Sequence, residues 1–284
     1  MKKLGIVIVN YNDYKTTVKL LENIKDYKIL DLIVIVDNNS NDNSVKELKK
    51  YTNKKIVLLE NKENKGYANG LNTGAKYINK KLKDCNIIFS NSDIIIKEEC
   101  DLQKLSNTIT EDIKVVGPNI IQNNESNKGW ILPCITDEIL FNLPLISRKF
   151  KQKILYKNSH YQKDISIVDV VSGCFFIVEG KTLEEINYFD ENTFLYYEEN
   201  ILAKKIKMIS KKEAINNKIS VIHDHSVTID KNIKKINKYK ILKQSQKYYV
   251  EKYLNANKIQ LLMLYLSNKL SLIILYIRCS INRK

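Results

Sequence analysis

Short, continuously apolar segments alternate with longer segments of helical periodicity in the first 90 residues. The apolar segments are residues 4–9, 32–36, 56–59 and 87–89. Apolar side chains at helical spacing fill the intervals, at residues 14–27, 44–51 and 67–82. Unbroken apolar strands separated by helices are typical of a parallel sheet covered on both faces. We therefore predict an α/β fold for this part of the chain.

Polar loops follow three of the predicted strands, at residues 10–13, 37–42 and 90–93. Asn and Asp are common in such loops because their side chains form turns with the backbone. Ligands of parallel sheets bind at the carboxyl ends of the strands, so three polar loops at one edge predict a nucleotide or sugar site. The chain has neither a dinucleotide fingerprint nor a P-loop.

The pattern becomes mixed after residue 115. Residues 122–166 are polar and irregular, and a stretch of this length predicts a substrate loop or a small subdomain. Strands are predicted at residues 115–119, 168–178 and 220–225, and a helix leads from residues 194–199 to about residue 209.

The net charge of +15 lies entirely in the last part of the chain. Residues 1–203 contain 28 basic and 28 acidic residues, whereas residues 204–284 contain 19 basic and 4 acidic residues. Five scattered cysteines without a C-x-x-C motif argue against a disulfide framework or a zinc site. The apolar run at residues 4–9 is too short for a signal peptide, so we expect a cytoplasmic protein.

Seven short motifs, in their order and spacing, resemble the family 2 inverting glycosyltransferases of the GT-A fold, especially the rhamnosyltransferase-like branch. They are IVIVNYN at 6–12, VDNNSND at 36–42, NKENKGYANGLNTG at 61–74, NSD at 91–93, SGC at 172–174, FD at 189–190 and FLYYEE at 194–199. The resemblance implies an α/β, Rossmann-like nucleotide-diphospho-sugar transferase fold with a mixed, mostly parallel sheet. We assign residues 1–226 to this domain and residues 227–284 to a C-terminal helical extension.

The resemblance also implies a nucleoside-diphosphate sugar as donor. It places the donor-binding positions at Asn10, Tyr11, Asn12, Asp37, Asn38, Gly66, Asn72, Asn91 and Asp93. A carboxylate such as Asp37 suits a nucleobase because it accepts the imide N–H in a charge-assisted bond. The alternative for Asp37 is a helix cap or an Asx-turn.

A divalent cation, Mg²⁺ or Mn²⁺, is the expected cofactor, because NSD occupies the position of the family's D-x-D motif. Such a cation takes oxygen ligands and neutralises the charge of a leaving diphosphate. We predict Asp93 as the direct ligand, supported by Asn91, with Ser92 in place of the usual proline. His223 is the second predicted ligand, with His225 as the fallback; the alternatives are a polar turn and structural histidines.

The catalytic base of the family is the second acid of a pair that opens a helix, and here the pair is Glu198–Glu199. We predict that Glu199 is the base, in place of the usual aspartate. The alternative is that two exposed acids complement a helix dipole. The predicted acceptor side comprises Trp130, Gly173, Cys174 and Glu198. Ile201 replaces a further acid of the family, and Lys204 or Lys205 must stand for an arginine.

Two helices are predicted in the C-terminal extension. Residues 231–257 form a basic amphipathic pattern, and residues 259–277 are strongly apolar with a narrow polar stripe at Gln260, Ser267, Ser271 and Arg278. Such a helix fits the interface of an anionic membrane. The alternative is a hairpin that packs on the catalytic domain or on a second subunit.

These expectations combine into an inverting, metal-dependent hexosyltransferase. It would transfer a sugar to a lipid-linked glycan or glycolipid acceptor in bacterial surface polysaccharide synthesis. It would be peripheral on the inner face of the cell membrane. The alternatives are a catalytically degenerate sugar-nucleotide-binding protein and a nucleic-acid-binding protein whose tail interleaves aromatics with lysines. Because no nucleic-acid-binding motif is present, we do not expect that partner. The sequence leaves the oligomeric state open.

Overall fold

The computed structural model describes residues 2–143, 146–224 and 235–281. The strands within these residues are β1 Lys3–Asn10, β2 Leu32–Asp37, β3 Ile56–Glu60, β4 Cys85–Ser90, β5 Ile94–Ile95, β6 Ile113–Gln122, β7 Glu125–Asn127, β8 Gly129–Trp130, β9 Ile165–Val168, β10 Val170–Val171, β11 Phe175–Glu179 and β12 Lys212–His223. The helices are α1 Tyr14–Ile24, α2 Ser44–Lys49, α3 Tyr67–Lys81, α4 Glu99–Thr108, α5 Ile135–Leu140, α6 Ser147–Lys153, α7 Gly180–Glu185, α8 Glu198–Met208, α9 Lys235–Tyr253 and α10 Lys258–Ile281, with a 3-10 helix at Asn158–Tyr161.

A mixed sheet of ten strands organises the molecule, in the order β3-β2-β1-β4-β11-β6-β12-β5, with β7 beside β6 and β9 beside β12. Strands β1 to β4 are mutually parallel where they pair, and β11 runs antiparallel between β4 and β6. Helices cover both faces, which is why β2 and β4 are buried at every position. The predicted α/β fold with a mostly parallel sheet is confirmed.

Two predicted strands have different bounds in the structure. The segment predicted as one strand at residues 168–178 is divided among β9, β10 and β11, and β10 leaves the main sheet to pair with β8. Strand β12 begins at Lys212, eight residues before the predicted start. Its first six residues, KEAINN, are mostly polar and do not alternate, so they give no strand pattern in the sequence. The irregular stretch at residues 122–166 contains the short strands β7 and β8, α5, α6, the 3-10 helix and the start of β9.

The C-terminal helices α9 and α10 form a hairpin that packs on the rest of the chain. Tyr249, Val250 and Leu264 are buried in one cluster with Ile201 of α8. On α10, Ser267 of the predicted polar stripe is buried, and it accepts a 3.0 Å hydrogen bond from Asn142. The polar stripe therefore turns toward the protein at this residue, and the apolar side of α10 faces outward.

Candidate active site

A cavity of about 930 Å³ opens at the carboxyl ends of β1, β2 and β4. Nine of the predicted site residues line it: Tyr11, Asn38, Gly66, Asn91, Asp93, Gly173, Cys174, Glu198 and Glu199. These residues come from six segments of the chain, and the fold brings them to one edge of the sheet. The lining also includes residues that were not predicted as site residues. Asn64, Tyr67, Phe189 and Leu195 belong to the quoted motifs, whereas Phe176 and four residues of α9 do not.

The start of α3 forms one end of this cavity. Asn38 donates a 2.9 Å hydrogen bond to the carbonyl of Gly66, whose φ of 103° lies in the left-handed region. A Cβ at Gly66 would lie 2.4 Å from the carbonyl oxygen of Phe194, so only glycine fits there. The amide of Tyr67 donates to the same Phe194 oxygen at 2.9 Å. This contact joins the helix start to the segment that precedes the acid pair.

Four predicted donor-binding residues do not line the cavity. Asp37 accepts hydrogen bonds from the Asn10 side chain at 2.8 Å and from the Ser40 amide at 2.9 Å, so it has the turn-forming contacts of the alternative interpretation. Asn12 accepts from the Asn41 amide, and Asn72 bonds to the backbone of Phe189. Asp37 and Asn12 thus bond to backbone amides of the loop after β2, and Asn72 within α3 holds the backbone at Phe189.

Trp130, predicted on the acceptor side, also lies outside the cavity. Its indole N–H donates a 3.0 Å hydrogen bond to Asn200, the residue after the acid pair. The indole therefore contacts α8 from outside the cavity.

Asp93 and His223 meet although 130 positions separate them in the chain. The antiparallel pairing of β5 with β12 places His223 opposite Ile94, and Nε2 of His223 lies 3.0 Å from Oδ2 of Asp93. Asp93 is 5% exposed. The hydroxyl of Tyr67 donates to Asn91 at 2.8 Å, which fixes the other polar residue of the NSD motif. His225, the fallback ligand, lies outside the described residues.

The residues at Asp93 fit a divalent cation that is shared with a substrate. Among the described residues no group of three His, Cys, Asp or Glu side chains forms a complete metal site. Mg²⁺ and similar cations are commonly held by one or two protein groups together with substrate phosphates. One carboxylate and one imidazole nitrogen that converge at 3.0 Å supply such a partial set.

The acid pair opens α8 beside Gly173. A Cβ at Gly173 would lie 3.5–3.6 Å from the carboxyl atoms of Glu199, so the missing side chain leaves space next to this carboxylate. Burial raises the pKa of both Glu198 and Glu199, and the charge of Glu199 raises the pKa of Glu198 further. The pair therefore binds a proton at a higher pH than an exposed glutamate does.

Two residues in the left-handed region precede the acid pair. Tyr196 and Tyr197 both have φ of 73°, a conformation that costs a non-glycine residue about 1 kcal/mol or more. The hydroxyl of Tyr197 donates a 2.5 Å hydrogen bond to Glu138 of α5, and Gln246 of α9 donates to the same carboxylate oxygen at 2.8 Å. Glu138 is 1% exposed. This buried network holds the turn that directs the acid pair.

We expect Tyr197→Phe to lower kcat about 10-fold while leaving the affinity for a nucleoside diphosphate unchanged, because it removes a hydrogen bond to a charged group from the turn. Tyr249→Phe is the matched control, since the buried Tyr249 hydroxyl makes no hydrogen bond within the described residues. Steady-state kinetics and ligand-induced thermal shifts measure both effects. Equal kcat values for the two variants would contradict a positioning role of Tyr197.

The structure shows the surroundings of two departures from the family pattern, Ile201 and the lysines at positions 204 and 205. Ile201 is 1% exposed and packs against Tyr249 and Leu264, so an acid at this position would lose the contact with the hairpin. Lys205 donates to the carbonyls of Asn187 and Tyr188. Neither Lys204 nor Lys205 lines the cavity.

Cys174 lines the cavity but is poorly suited to nucleophilic chemistry. Burial raises the pKa of its thiol to about 12, so the thiol stays protonated at neutral pH. Its carbonyl accepts a 2.8 Å hydrogen bond from the Asn91 amide. The residue therefore supports the loop that carries Asp93.

The sheet has an antiparallel strand beside β4, and the cavity at its edge is lined by Asp93, which contacts His223, and by the acid pair Glu198–Glu199. The sequence matches the family Glycosyl transferase family 2 over residues 5–183, which is more than half of the chain. The chain belongs to this family.

One relative is the low-salt glycan biosynthesis hexosyltransferase Agl10 of Haloferax volcanii, 26% identical over 202 residues. The match covers 69% of this chain and 59% of the relative, so the chain spans about three fifths of that protein's length.

Solved structures share the fold at low identity. The mannosyltransferase PcManGT from Pyrobaculum calidifontis, in complex with GDP-Man and Mn²⁺, superposes with a TM-score of 0.61 at 14% identity, over 95% of this chain and 72% of that chain. GalNAc-T7 with UDP, GalNAc and Mn²⁺ gives 0.62 at 15% identity, over 80% and 45%. S. aureus TarS 1-349 with UDP-GlcNAc gives 0.58 at 14% identity, over 91% and 69%.

Proposed function

We propose that this protein is an inverting, metal-dependent glycosyltransferase that moves a hexose from a nucleoside-diphosphate donor to a glycan. The observation that carries the proposal is that Asp93, in contact with His223, lines the same cavity as Glu199. Membership of the family and the hexosyltransferase name of the Haloferax relative support it. Solved neighbours with GDP-Man, UDP-GlcNAc and Mn²⁺ support the donor class and the cation.

In this proposal the two ends of the cavity have separate tasks. Tyr11, Asn38 and Gly66 bind the nucleotide, and Asp93 and His223 hold the cation. A bound divalent cation would neutralise the charge of the departing diphosphate.

Glu199 is the proposed base. It removes the proton of an acceptor hydroxyl as the hydroxyl oxygen attacks the anomeric carbon. The bond between that carbon and the diphosphate oxygen breaks on the opposite side. One displacement of this kind inverts the configuration at the anomeric carbon. The open space at Gly173 leaves room for the hydroxyl beside the carboxylate.

The acceptor in this proposal is lipid-linked, and the protein is bound to the cytoplasmic face of the membrane during bacterial surface polysaccharide synthesis. Support comes from α10. It is the one helix within the described residues that is long and apolar enough to cross a membrane, and 11% of its apolar stretch is buried. Its exposed apolar residues are Ile259, Leu262, Met263, Tyr265, Leu266, Leu270, Ile273, Tyr276 and Ile277. An apolar surface of this extent marks a partner or a membrane. The surplus of lysines in the tail favours an anionic lipid surface.

The motifs also favour assignment to the rhamnosyltransferase-like branch within the family. NSD at residues 91–93 and the acid pair at residues 198–199 stand at that branch's positions, with the departures at Ser92 and Glu199.

Nucleic-acid binding by the tail receives no support from the contacts of its aromatic side chains. The hydroxyls of Tyr248 and Tyr253 both donate to Asp190, and Tyr249 is fully buried. Stacking on bases requires exposed ring faces, so these tyrosines serve the packing of the hairpin instead.

Turnover tests the proposal directly. The purified protein is incubated with Mn²⁺ and a panel of uridine, thymidine and guanosine diphosphate sugars, and release of the nucleoside diphosphate is measured. Slow release from one donor, dependent on the cation, is the expected result. Absence of release from every donor in a folded protein would favour the catalytically degenerate alternative.

The apolar face of α10 yields a separate prediction. Leu262 and Leu266 are 56% and 57% exposed and lie one helical turn apart. We expect the double change Leu262→Ser with Leu266→Ser to weaken co-sedimentation with phosphatidylglycerol vesicles about 10-fold or more, because burial of each leucine contributes about 1.5–3 kcal/mol at most. Met208→Ser is the control, since Met208 is 77% exposed at the end of α8. Equal binding of both variants would exclude α10 as the membrane face.

A further inference from the structure

One wall of the candidate active-site cavity comes from α9, and the reaction described above assigns it no task. Asn237, Lys240, Ile241 and Gln244 line the cavity. Their spacing of three, four and seven residues places them on one face of the helix. The N-terminal half of α9 thus presents a polar face with one cation to the cavity.

The C-terminal half of α9 fixes this face relative to the acid pair. Ser245 donates a 2.8 Å hydrogen bond to the carbonyl of Leu195, and Gln246 donates to Glu138. Tyr248 and Tyr253 donate to Asp190 at 2.7 and 2.5 Å. These contacts reach residues 190–197, the segment that precedes the acid pair, so they hold α9 beside the turn at Tyr196 and Tyr197.

More acidic than basic side chains line the cavity. Among the described lining residues Lys240 is the only lysine, arginine or histidine, and it faces a cavity with the acids Asp93, Glu198 and Glu199. Two other lysines of α9 have partners, since Lys243 contacts Asn142 and Gln246, and Lys252 contacts Asp190. Lys240 makes no hydrogen bond or ion pair with any described residue. Within the described part of the chain, its ammonium group is therefore available to an anion.

We propose that Lys240, flanked by the side-chain amides of Asn237 and Gln244, is a phosphate-binding subsite for the acceptor. This inference rests on the proposed function, and it adds that the acceptor carries a phosphate group close to the sugar that is extended. A lysine ammonium and amide N–H groups form charge-assisted hydrogen bonds to phosphate oxygens.

The position of α9 favours the acceptor over the donor as the source of the phosphate. The donor diphosphate is assigned to the cation at Asp93 and His223, which follow β4 and end β12. Helix α9 instead packs against α10, whose outward side is apolar. A lipid phosphate joins an anionic head to an apolar chain, and the α9–α10 hairpin offers a cation to the cavity and an apolar surface beside it.

The test measures binding of octyl phosphate to the full chain by thermal shift, with and without a saturating nucleoside diphosphate and Mn²⁺. We expect Lys240→Gln to weaken octyl phosphate binding about 10-fold, the effect of losing one charged hydrogen bond, and to leave nucleotide affinity unchanged. Lys247→Gln is the matched control, because Lys247 is exposed on the same helix and does not line the cavity. Octanol, which lacks the phosphate, binds equally to both variants.

Two results would overturn the subsite. Equal octyl phosphate binding by Lys240→Gln and Lys247→Gln would show that Lys240 binds no phosphate of this kind. Weaker nucleotide binding by Lys240→Gln would assign Lys240 to the donor diphosphate instead. Failure of the proposed function gives a different result, namely that the unsubstituted chain binds no nucleoside diphosphate. Octyl phosphate binding is also measured without nucleotide, so the two failures are distinguishable.

Discussion

Glu199→Gln is expected to lower kcat for sugar transfer about 1000-fold, within the range of 10²–10⁴ that a general base contributes. The amide keeps the shape of the side chain but cannot accept the proton of the acceptor hydroxyl. The affinity for the nucleoside diphosphate, measured by thermal shift, stays unchanged. Glu185→Gln, at an exposed position in α7, serves as the control and retains full activity.

Two further variants make this result specific. Glu199→Asp keeps the carboxylate and shortens it by one methylene, so it retains more activity than Glu199→Gln. Glu198→Gln loses less activity than Glu199→Gln, since burial and the charge of Glu199 raise the pKa of Glu198 and favour its neutral form. An active Glu199→Gln together with an inactive Glu198→Gln would show that Glu198, and not Glu199, is the base.

The pH dependence of the same reaction follows from the burial of Glu199. Because burial raises the pKa of this carboxyl above its ordinary value of 4.5, the base becomes protonated as the pH falls through that higher value. The acid limb of kcat/KM therefore lies above pH 4.5. The limb disappears in Glu199→Gln, whose residual activity does not depend on this group.

Asp93→Asn is expected to have an effect of similar size through a different step. Removal of the carboxylate leaves His223 as the remaining predicted ligand, and the loss of the cation's stabilisation of the leaving diphosphate lowers kcat about 1000-fold. Unlike Glu199→Gln, this variant also loses the Mn²⁺-dependent part of nucleotide binding. Titration calorimetry with a nucleoside diphosphate and Mn²⁺ distinguishes the Asp93→Asn variant from the Glu199→Gln variant.

Asp26→Asn, in the exposed loop after α1, is the control for this variant. Retention of Mn²⁺-dependent nucleotide binding by Asp93→Asn would place the cation elsewhere in the cavity. His223→Ala then tests the second ligand, with a smaller loss expected because one neutral nitrogen ligand is removed while the carboxylate remains.

The N-terminal half of the fold was predictable because its strands are buried on both faces. Strands β1, β2 and β4 are continuous apolar runs, and each polar loop at their ends is local in sequence. By contrast, the first half of β12 is mostly polar without alternation, and its extent depends on pairing with β6 and β9. Local pattern alone cannot supply such pairings.

The candidate site was predictable as a set of motifs, whereas its geometry depends on contacts distant in sequence. Resemblance pointed to Asp93 and His223, but their contact requires the pairing of β5 with β12. The buried hydrogen bonds of Asp37 and the position of Trp130 beside Asn200 depend on neighbours that no motif identifies. The same holds for Lys240, since its place in the cavity follows from how α9 packs on α8.

The most direct test of the account measures nucleoside diphosphate binding with and without Mn²⁺, by the shift in melting temperature of the full chain and its variants. A ligand that binds the native state alone raises this temperature. We predict that at least one nucleoside diphosphate raises it in the presence of Mn²⁺, that Asp93→Asn abolishes the cation-dependent shift, and that Glu199→Gln preserves it. A cation-dependent shift that persists in Asp93→Asn, or no shift with any nucleoside diphosphate, would contradict the account.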